Sequence, residues 1–354
     1  MTEKKIKVVV VDDSAFMRTA IERMIKSDPS IEIVGSASNG VEAIEIVLRL
    51  KPDVVTMDIE MPVMDGLQAL KEIMRVCPTP VLMVSSLTNE GAKITLDALD
   101  LGAVDYIPKP GSTLSASILS LKDELTAKIS AAAGSKPRHL KLDFLAAKRN
   151  FASEGSKIEQ YIRRAIFIGA STGGPPAVQK ILSGINPLVR APIIIAQHMP
   201  QAFTSAFASR MNSLCAIRVK EASNGEIVQN SVAYVCPGDN QTEIERTNEG
   251  TYRFVITPGN PNDEAFAPCI DTLFSSAASV FGAKATGIIL TGMGSDGALG
   301  LKKIQQAGGF TIAQNQATSV VYGMPKAAIE ADAAGVVVSI DDIAAEIELA
   351  LKKA

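Results

Sequence analysis

The sequence predicts an α/β protein with two domains, each built on a doubly wound, mostly parallel β-sheet. Three observations favour this fold class. Short apolar, β-branched runs alternate with segments of helical period, the alternation is interrupted once after about residue 125, and it resumes near Ile166. The length of 354 residues is sufficient for two buried cores. We therefore expect domains at residues 1–125 and 165–354, joined by a linker at 126–164.

Five strand–helix pairs occupy the first domain. The strand-like segments are “IKVVVVD”, “IEIVGSA”, “DVVTMD”, “PVLMVSS” and “AVDYIPK”. The helix-like segments are “AFMRTAIERMI”, “GVEAIEIVLRL”, “DGLQALKEIMR”, “GAKITLDALDLG” and “SASILSLKDELTAKISAA”. Strict alternation of this kind predicts a parallel sheet covered on both faces, in which ligands bind beyond the carboxyl ends of the strands.

Carboxylates lie at those strand ends. Asp12 and Asp13 close the first strand and Asp58 closes the third, while Ser85 and Lys109 follow the fourth and fifth. A single aspartate there is usually a helix cap or a turn residue, but three neighbouring carboxylates repel one another unless a divalent cation joins them. Oxygen ligands suit Mg²⁺. A carboxylate, a cation, a hydroxyl and an ammonium together indicate phosphoryl transfer to an aspartate.

The motifs “VDDS”, “MDIEMPVMDG”, “VSS” and “YIPKP” resemble the response-regulator receiver domain over residues 5–125. This resemblance implies a flavodoxin-like (βα)5 fold and a histidine kinase as phosphodonor. It implies that Asp58 accepts the phosphoryl group. It also implies that Asp12, Asp13, Asp58 and the backbone carbonyl of Glu60 hold Mg²⁺.

The same resemblance assigns residues that respond to the phosphoryl group. Ser85 and Lys109 would contact it, and Tyr106 is similar to the aromatic switch residue of the family. Ordinary packing is the alternative for Tyr106.

Strand–helix alternation also fills residues 165–354. Strand-like segments include “AIFIGAS”, “APIIIAQH”, “SVAYVCPGD”, “YRFVIT”, “KATGIILTGMG”, “FTIAQN” and “AGVVVS”. Helix-like segments include “PPAVQKILSGI”, “QAFTSAFASRMNS”, “CIDTLFSSAASVFG”, “SDGALGLKKIQQAG” and “IDDIAAEIELALKK”. The preceding linker has weak periodicity, and His139 lies within it.

Ser171 lies in “GASTG”, which matches G-x-S-x-G at the end of a predicted strand. Three interpretations compete. A phosphate loop is disfavoured because the G-K-[ST] ending of a Walker A motif is missing. A strand–helix turn with Ser171 or Thr172 as helix cap needs only capping. The third interpretation, a serine nucleophile, requires a base.

The chain contains only two histidines, and His198 follows a predicted strand at the same sheet edge as Ser171. It is the candidate base, although a histidine is often merely packed or exposed. Residues 172–197 contain no Asp or Glu, so the order Ser–Asp–His of α/β-hydrolases is excluded. Asp296 in “TGMGSDGALG” is the best candidate for the acid, with a helix N-cap as its alternative role. Weaker candidates are Asp239 and Asp271.

These residues predict acyl transfer without a cofactor. His198 would take the Ser171 proton as the serine attacks a carbonyl, and Asp296 would orient the imidazole. Backbone N–H groups near Thr172 and in the “TGMG” turn would bind the oxyanion, each donor contributing roughly 3 kcal/mol.

The segments “IGASTGGP”, “QHMP”, “CPGD”, “TGMGSDGA” and “SVVYGMPKAA” resemble the chemotaxis protein-glutamate methylesterase family. The resemblance extends along nearly the whole chain apart from the linker. It implies hydrolysis of glutamate γ-methyl esters, and deamidation of selected glutamines, on the cytoplasmic helices of methyl-accepting chemoreceptors. The family's triad corresponds to Ser171, His198 and Asp296, and its proposed oxyanion donor to the backbone of Met293.

Two departures from that family leave the substrate contacts open. A histidine usually follows the “PGD” motif, whereas this chain has Asn240 and Gln241, and “TPGNPNDEAFAPCIDTLF” replaces a shorter, more basic stretch. The alternatives are a receptor array unrelated to swimming, a receiver-regulated hydrolase of another ester or amide, and a non-catalytic binding module.

Composition excludes other classes. With 35 basic and 38 acidic residues, a net charge of −3 and no tryptophan, the chain lacks the features of a nucleic-acid-binding protein. No apolar run approaches the ~18 residues of a membrane span, and four scattered cysteines predict reduced thiols. We expect a cytoplasmic, monomeric protein.

Overall fold

The protein is described by a computed structural model over residues 5–109, 115–135, 161–260 and 266–352. It forms two compact units, within residues 1–142 and 143–354. No helix in these ranges is long and apolar enough to cross a membrane.

The first unit contains a five-stranded parallel sheet in the order β2-β1-β3-β4-β5. Its strands are β1 (Ile6–Val11), β2 (Ile31–Ala37), β3 (Val54–Asp58), β4 (Val81–Ser85) and β5 (Asp105–Pro108). Its helices are α1 (Ala15–Lys26), α2 (Gly40–Leu50), α3 (Gly66–Val76), α4 (Asn89–Asp100) and α5 (Ser115–Ala133). The chain reverses direction across the sheet between β1 and β3. In doubly wound sheets a crevice opens at this switch point.

Local sequence explains these elements. Val8, Val9, Val10 and Val11 of β1 are fully buried, as expected for a strand with helices on both faces. Helix α1 begins after Ser14, whose hydroxyl accepts the Met17 N–H. Asp65 caps α3 in the same way. Helix α5 continues past residue 125, where the sequence pattern placed the end of the first domain.

The second unit has a seven-stranded sheet in the order β14-β13-β12-β6-β7-β9-β8, in which every pairing is parallel. Its strands are β6 (Ala165–Ala170), β7 (Ile193–Gln197), β8 (Arg218–Glu221), β9 (Val232–Val235), β12 (Ala285–Ile289), β13 (Phe310–Gln314) and β14 (Val336–Val338). The antiparallel hairpin β10 (Asn240–Arg246) and β11 (Tyr252–Pro258) forms a separate sheet. These two parallel sheets confirm the predicted fold class.

Helices cover both faces of this sheet. They are α6 (Gly174–Gly184), α7 (Gln201–Leu214), α8 (Ile270–Phe281), α9 (Ala298–Gln306), α10 (Met324–Glu330) and α11 (Ile343–Lys352). Strand β6 lies at the switch point, between β12 and β7, and all its residues are buried. The carboxyl ends of β6, β7 and β12 therefore meet at one edge of the sheet.

Among the described residues, two β-strands and one α-helix were not predicted from the sequence. Strand β8 is a short edge strand with the polar sequence “RVKE”. Strand β10 buries only the alternate side chains Thr242 and Ile244. Helix α10 has only seven residues. Most of the predicted linker, including His139, lies outside the described residues.

Candidate active site

Ser171 follows β6 directly, and hydrogen bonds fix its backbone on both sides. Its N–H donates to the Thr291 carbonyl at 3.1 Å. Its own carbonyl accepts the Gly174 N–H at 2.8 Å and the Gln197 side-chain amide at 2.9 Å. Gly173 has a φ of 74°, so the chain turns sharply into α6. The serine thus lies on a rigid turn beside the positive end of a helix.

His198 directly follows β7, the strand that lies beside β6 in the sheet. Ala170 pairs with Gln197 in the sheet, and the His198 N–H donates to the Ala170 carbonyl at 3.1 Å. Ser171 and His198 therefore extend the register of β6 and β7 side by side. The histidine side chain is 9% exposed. Within the described part of the chain, its Nδ1 is buried without a hydrogen-bond partner, and the Ser171 hydroxyl forms no hydrogen bond.

Asp296 binds the other nitrogen of the same imidazole. Its Oδ2 lies 2.8 Å from Nε2 of His198 and also accepts the Ile270 N–H at 2.8 Å, while Oδ1 accepts the Asp271 N–H at 2.9 Å. Burial acts to raise the pKa of Asp296, but the hydrogen bonds from His198 and the two backbone amides outweigh it and lower this pKa. An ionised carboxylate is thereby fixed against the imidazole.

The alternative role of Asp296 as N-cap of its own helix is not observed, because α9 begins after Gly297 without a side-chain cap. Asp296 accepts the first N–H groups of α8, and Asp271 of α8 in turn accepts the Gly300 N–H of α9 at 2.5 Å. The weaker acid candidates bind elsewhere: Asp271 binds Gly300, and Asp239 accepts the Gln201 N–H at 3.2 Å. Of the three candidates, only Asp296 has a hydrogen bond to His198 within the described residues.

The “TGMG” turn after β12 lies against Ser171. A Cβ on Gly292 would come within 2.8 Å of the Ser171 Cβ and 2.2 Å of the Met324 sulfur, so only glycine fits there. The Thr291 hydroxyl donates to the Thr172 carbonyl at 2.9 Å and joins the turn to the serine loop. Across the described residues, no hydrogen bond uses the backbone N–H of Met293. Thr172 itself is buried.

The Phe266 ring beside His198 was not identified from the sequence, and Gln241 was noted there only as a departure from the family pattern. The Phe266 ring stacks on the imidazole, with centroids 4.1 Å apart and planes inclined by 17°. The Gln241 side chain donates to the Phe266 carbonyl at 2.7 Å and accepts the Cys269 N–H at 2.8 Å. Phe266 lies in an irregular segment without periodicity, so no sequence signal pointed to it. Asn240 donates to the Gly238 carbonyl.

The first unit carries a second cluster at its own switch point. Oxygens of Asp12, Asp13 and Asp58 lie within 4.8 Å of one another. Lys109 Nζ donates to Asp58 Oδ2 at 2.7 Å and lies 3.6 Å from Asp12 Oδ2. Burial raises the pKa of both Asp12 and Asp58, and Lys109 offsets only part of this effect. The cluster therefore concentrates negative charge that one lysine does not fully compensate.

These residues fit a hard divalent cation. The Oδ2 atom of Asp12 is buried and has no hydrogen-bond partner in the described structure, and Asp13 is exposed. Asp13 and Glu60 also line one open cavity of about 550 Å³. Two buried carboxylates, one solvent-facing carboxylate and adjacent open space match the preference of Mg²⁺ for a few carboxylates and several waters.

Ser85 and Tyr106 are the other side chains predicted to respond to a phosphoryl group at this site. The Ser85 carbonyl accepts the Lys109 N–H at 2.7 Å, but the Ser85 hydroxyl accepts a hydrogen bond from Thr95 at 2.7 Å. Tyr106 is 4% exposed, and Lys128 Nζ donates to its carbonyl at 2.7 Å. Ser85 and Tyr106 are therefore buried on the α4 and α5 sides of the sheet.

Comparison with known proteins gives consistent results. The family described as “CheB methylesterase” matches residues 166–347, and the “Response regulator receiver domain” matches residues 8–117. A Lawsonia intracellularis protein named “Protein-glutamate methylesterase/protein-glutamine glutaminase” is 45% identical over 98% of this chain and 99% of its own length. A Pyrococcus abyssi protein of the same name is also 45% identical, over 97% of this chain and 93% of its own.

A solved structure supports the same comparison for the second unit. The crystal structure of the Thermotoga maritima CheB methylesterase catalytic domain is 36% identical to this chain, with a TM-score of 0.51. It covers 53% of this chain and 100% of its own.

Proposed function

Because the chain belongs to the CheB methylesterase family, we propose that its two sites form a phosphorylation-controlled esterase acting through Ser171, His198 and Asp296. As a member of this family, the protein is a methylesterase with a response-regulator receiver domain, and its activity is that of a protein-glutamate methylesterase and protein-glutamine glutaminase. The observation that supports the proposal is the His198–Asp296 pair, which engages Nε2 while Nδ1 stays without a hydrogen-bond partner in the described structure.

The proposal gives each nitrogen of His198 a separate role. Asp296 accepts the Nε2 proton and holds the tautomer in which Nδ1 is a base. We expect the hydrogen bond between the Ser171 hydroxyl and Nδ1 to form in the substrate complex. Nδ1 then takes the hydroxyl proton as Oγ attacks the δ-carbon of a methylated glutamate.

The reaction proceeds through two tetrahedral intermediates. As the first collapses, the C–OCH₃ bond breaks and methanol leaves with the proton from Nδ1, so an acyl-serine remains. Water then attacks the acyl-serine, His198 takes its proton, and glutamate is released as Ser171 regains a proton. With glutamine in place of the ester, ammonia is the first leaving group.

Backbone donors around Ser171 supply the oxyanion site. The Met293 N–H has no other partner in the described structure and lies on the turn that packs against Ser171. The start of α6 contributes the positive end of its dipole and the N–H groups near Thr172. We expect these groups to bind the developing negative charge, and no cofactor takes part in the ester chemistry.

The receiver domain regulates this activity in the proposal. A histidine kinase donates a phosphoryl group to Asp58. Asp12, Asp13, Asp58 and the Glu60 carbonyl would hold Mg²⁺, which when bound neutralises charge on the phosphoryl oxygens. Lys109 already contacts the acceptor carboxylate and would follow the phosphoryl group, with Ser85 and Tyr106 as further responding residues. We expect phosphorylation to raise the esterase rate.

We propose methyl-accepting chemoreceptors, reached from the cytoplasm, as the substrates. The test is incubation with methylated receptor fragments and mass spectrometry of each glutamate site, with and without a small phosphodonor. We expect demethylation that the phosphodonor accelerates. Turnover of small esters without demethylation of any receptor fragment would instead indicate a hydrolase with another substrate.

A further inference from the structure

Phe266 covers the catalytic base without being part of the hydrophobic core. Its ring stacks on the His198 imidazole at 4.1 Å, yet 49% of the residue is exposed, whereas the histidine side chain beneath it is 9% exposed. The exposed part of the ring, directly over the buried imidazole, is therefore available to contact a bound substrate.

The segment carrying Phe266 is fastened at several points. Gln241 binds the Phe266 carbonyl and the Cys269 N–H through its two amide atoms. The Asp239 N–H donates to the Ala267 carbonyl at 3.1 Å. Cys269 is also the N-cap residue of α8, whose first N–H groups bind Asp296. One short segment therefore fixes the ring above His198 and the carboxylate beside it.

In the proposed mechanism the leaving group lies next to the Phe266 ring. His198 must donate its proton to the departing oxygen or nitrogen, so that atom lies within hydrogen-bond distance of Nδ1. A ring stacked on the same imidazole then lies within van der Waals reach of whatever the departing atom carries. For a methyl ester this is a methyl group, and for glutamine it is only hydrogen.

On this basis we infer that Phe266 is a specificity-determining residue that packs against the leaving methoxy group and favours methyl esters over primary amides. Gln241 is a positioning residue that holds the ring there. The inference rests on the proposed function and refines it. One methyl group in an apolar contact typically changes a specificity constant by about 10-fold, which sets the size of the expected effect.

The test uses two synthetic helical peptides that differ at one position, which is either glutamate γ-methyl ester or glutamine. Methanol and ammonia release give the two kcat/KM values for the full-length protein. We expect Phe266→Ala to lower the ester value about 10-fold and to change the amide value much less. Phe266→Leu keeps an apolar contact and should restore most of the preference. Gln241→Ala should lower the ester-to-amide ratio in the same direction, whereas Gln229→Ala, at an exposed position, should not.

Two results would overturn the inference. One is an equal loss of both activities in Phe266→Ala, which would mean that the ring only supports His198. The other is no change in either activity. Failure of the proposed function itself would give a different result. The wild-type protein would then release no methanol from the ester peptide or from methylated receptors, and the inference would fail with it.

Discussion

Oδ2 of Asp296 lies 2.8 Å from Nε2 of His198, although 98 positions separate the two residues in sequence. The same carboxylate binds the first N–H groups of α8, so its position does not depend on the histidine alone. Because Nε2 is engaged, Nδ1 is the nitrogen that remains available as the base in the proposed mechanism.

Replacing Asp296 with Asn should impair turnover severely. An amide can present its NH₂ group to Nε2 and stabilise the wrong tautomer, so we expect kcat to fall by about 10⁴-fold near neutral pH. Methanol release from a methyl ester measures this loss. Asp239→Asn is the matched control, because Asp239 lies at another strand end and binds Gln201 instead. Comparable losses in both variants would contradict the assignment of Asp296.

The lowered pKa of Asp296 predicts a pH dependence of stability. A carboxyl group whose pKa is lower in the folded state stabilises that state above its unfolded value, here taken as 3.8. This contribution is lost as the pH falls through the folded-state value. Urea unfolding of wild type and Asp296→Asn should therefore show a stability difference that shrinks as the pH falls from 5 to below 3.8. A difference that grows in this window would contradict the prediction.

Gly292 should tolerate no side chain. A Cβ there would displace either the Ser171 Cβ or the Met324 sulfur, and a shift of about 1 Å at a catalytic group typically costs 10²-fold in rate. We expect Gly292→Ala to lose activity on this scale, measured as kcat with the melting temperature recorded in parallel. Gly225→Ala is the matched control, because Gly225 has a φ of 75°, which strains other residues, but open space around it. It should lower stability while retaining turnover, and the reverse pattern would refute the prediction.

Asp58→Asn should abolish the response to a phosphodonor. In this variant a side-chain amide replaces the carboxylate whose Oδ2 accepts a hydrogen bond from Lys109 Nζ at 2.7 Å. An amide cannot accept a phosphoryl group as a carboxylate does. The ratio of esterase rates with and without phosphodonor should fall to one. Asp123→Asn, on the exposed side of α5, should keep the wild-type ratio. Persistent stimulation of Asp58→Asn would place the acceptor elsewhere.

Much of this architecture follows from the sequence because parallel strands are buried on both faces and appear as continuous apolar runs. The strand ends then place Ser171, His198 and Asp296 at one edge. The short edge strand β8 and the half-buried β10 carry too few apolar residues to be identified. Local patterns also do not indicate which imidazole nitrogen binds Asp296, nor that Phe266 stacks on His198 and is held by Gln241. These contacts depend on the path of an irregular segment.

The central claim is that Ser171 is the nucleophile, and the most direct measurement is methanol release from a methylated receptor fragment by Ser171→Ala. We predict a loss of about 10³-fold or more with an unchanged melting temperature. Ser213→Ala, at an exposed serine on α7, should retain full activity. Methanol release by Ser171→Ala at a rate close to that of the wild type would contradict the account.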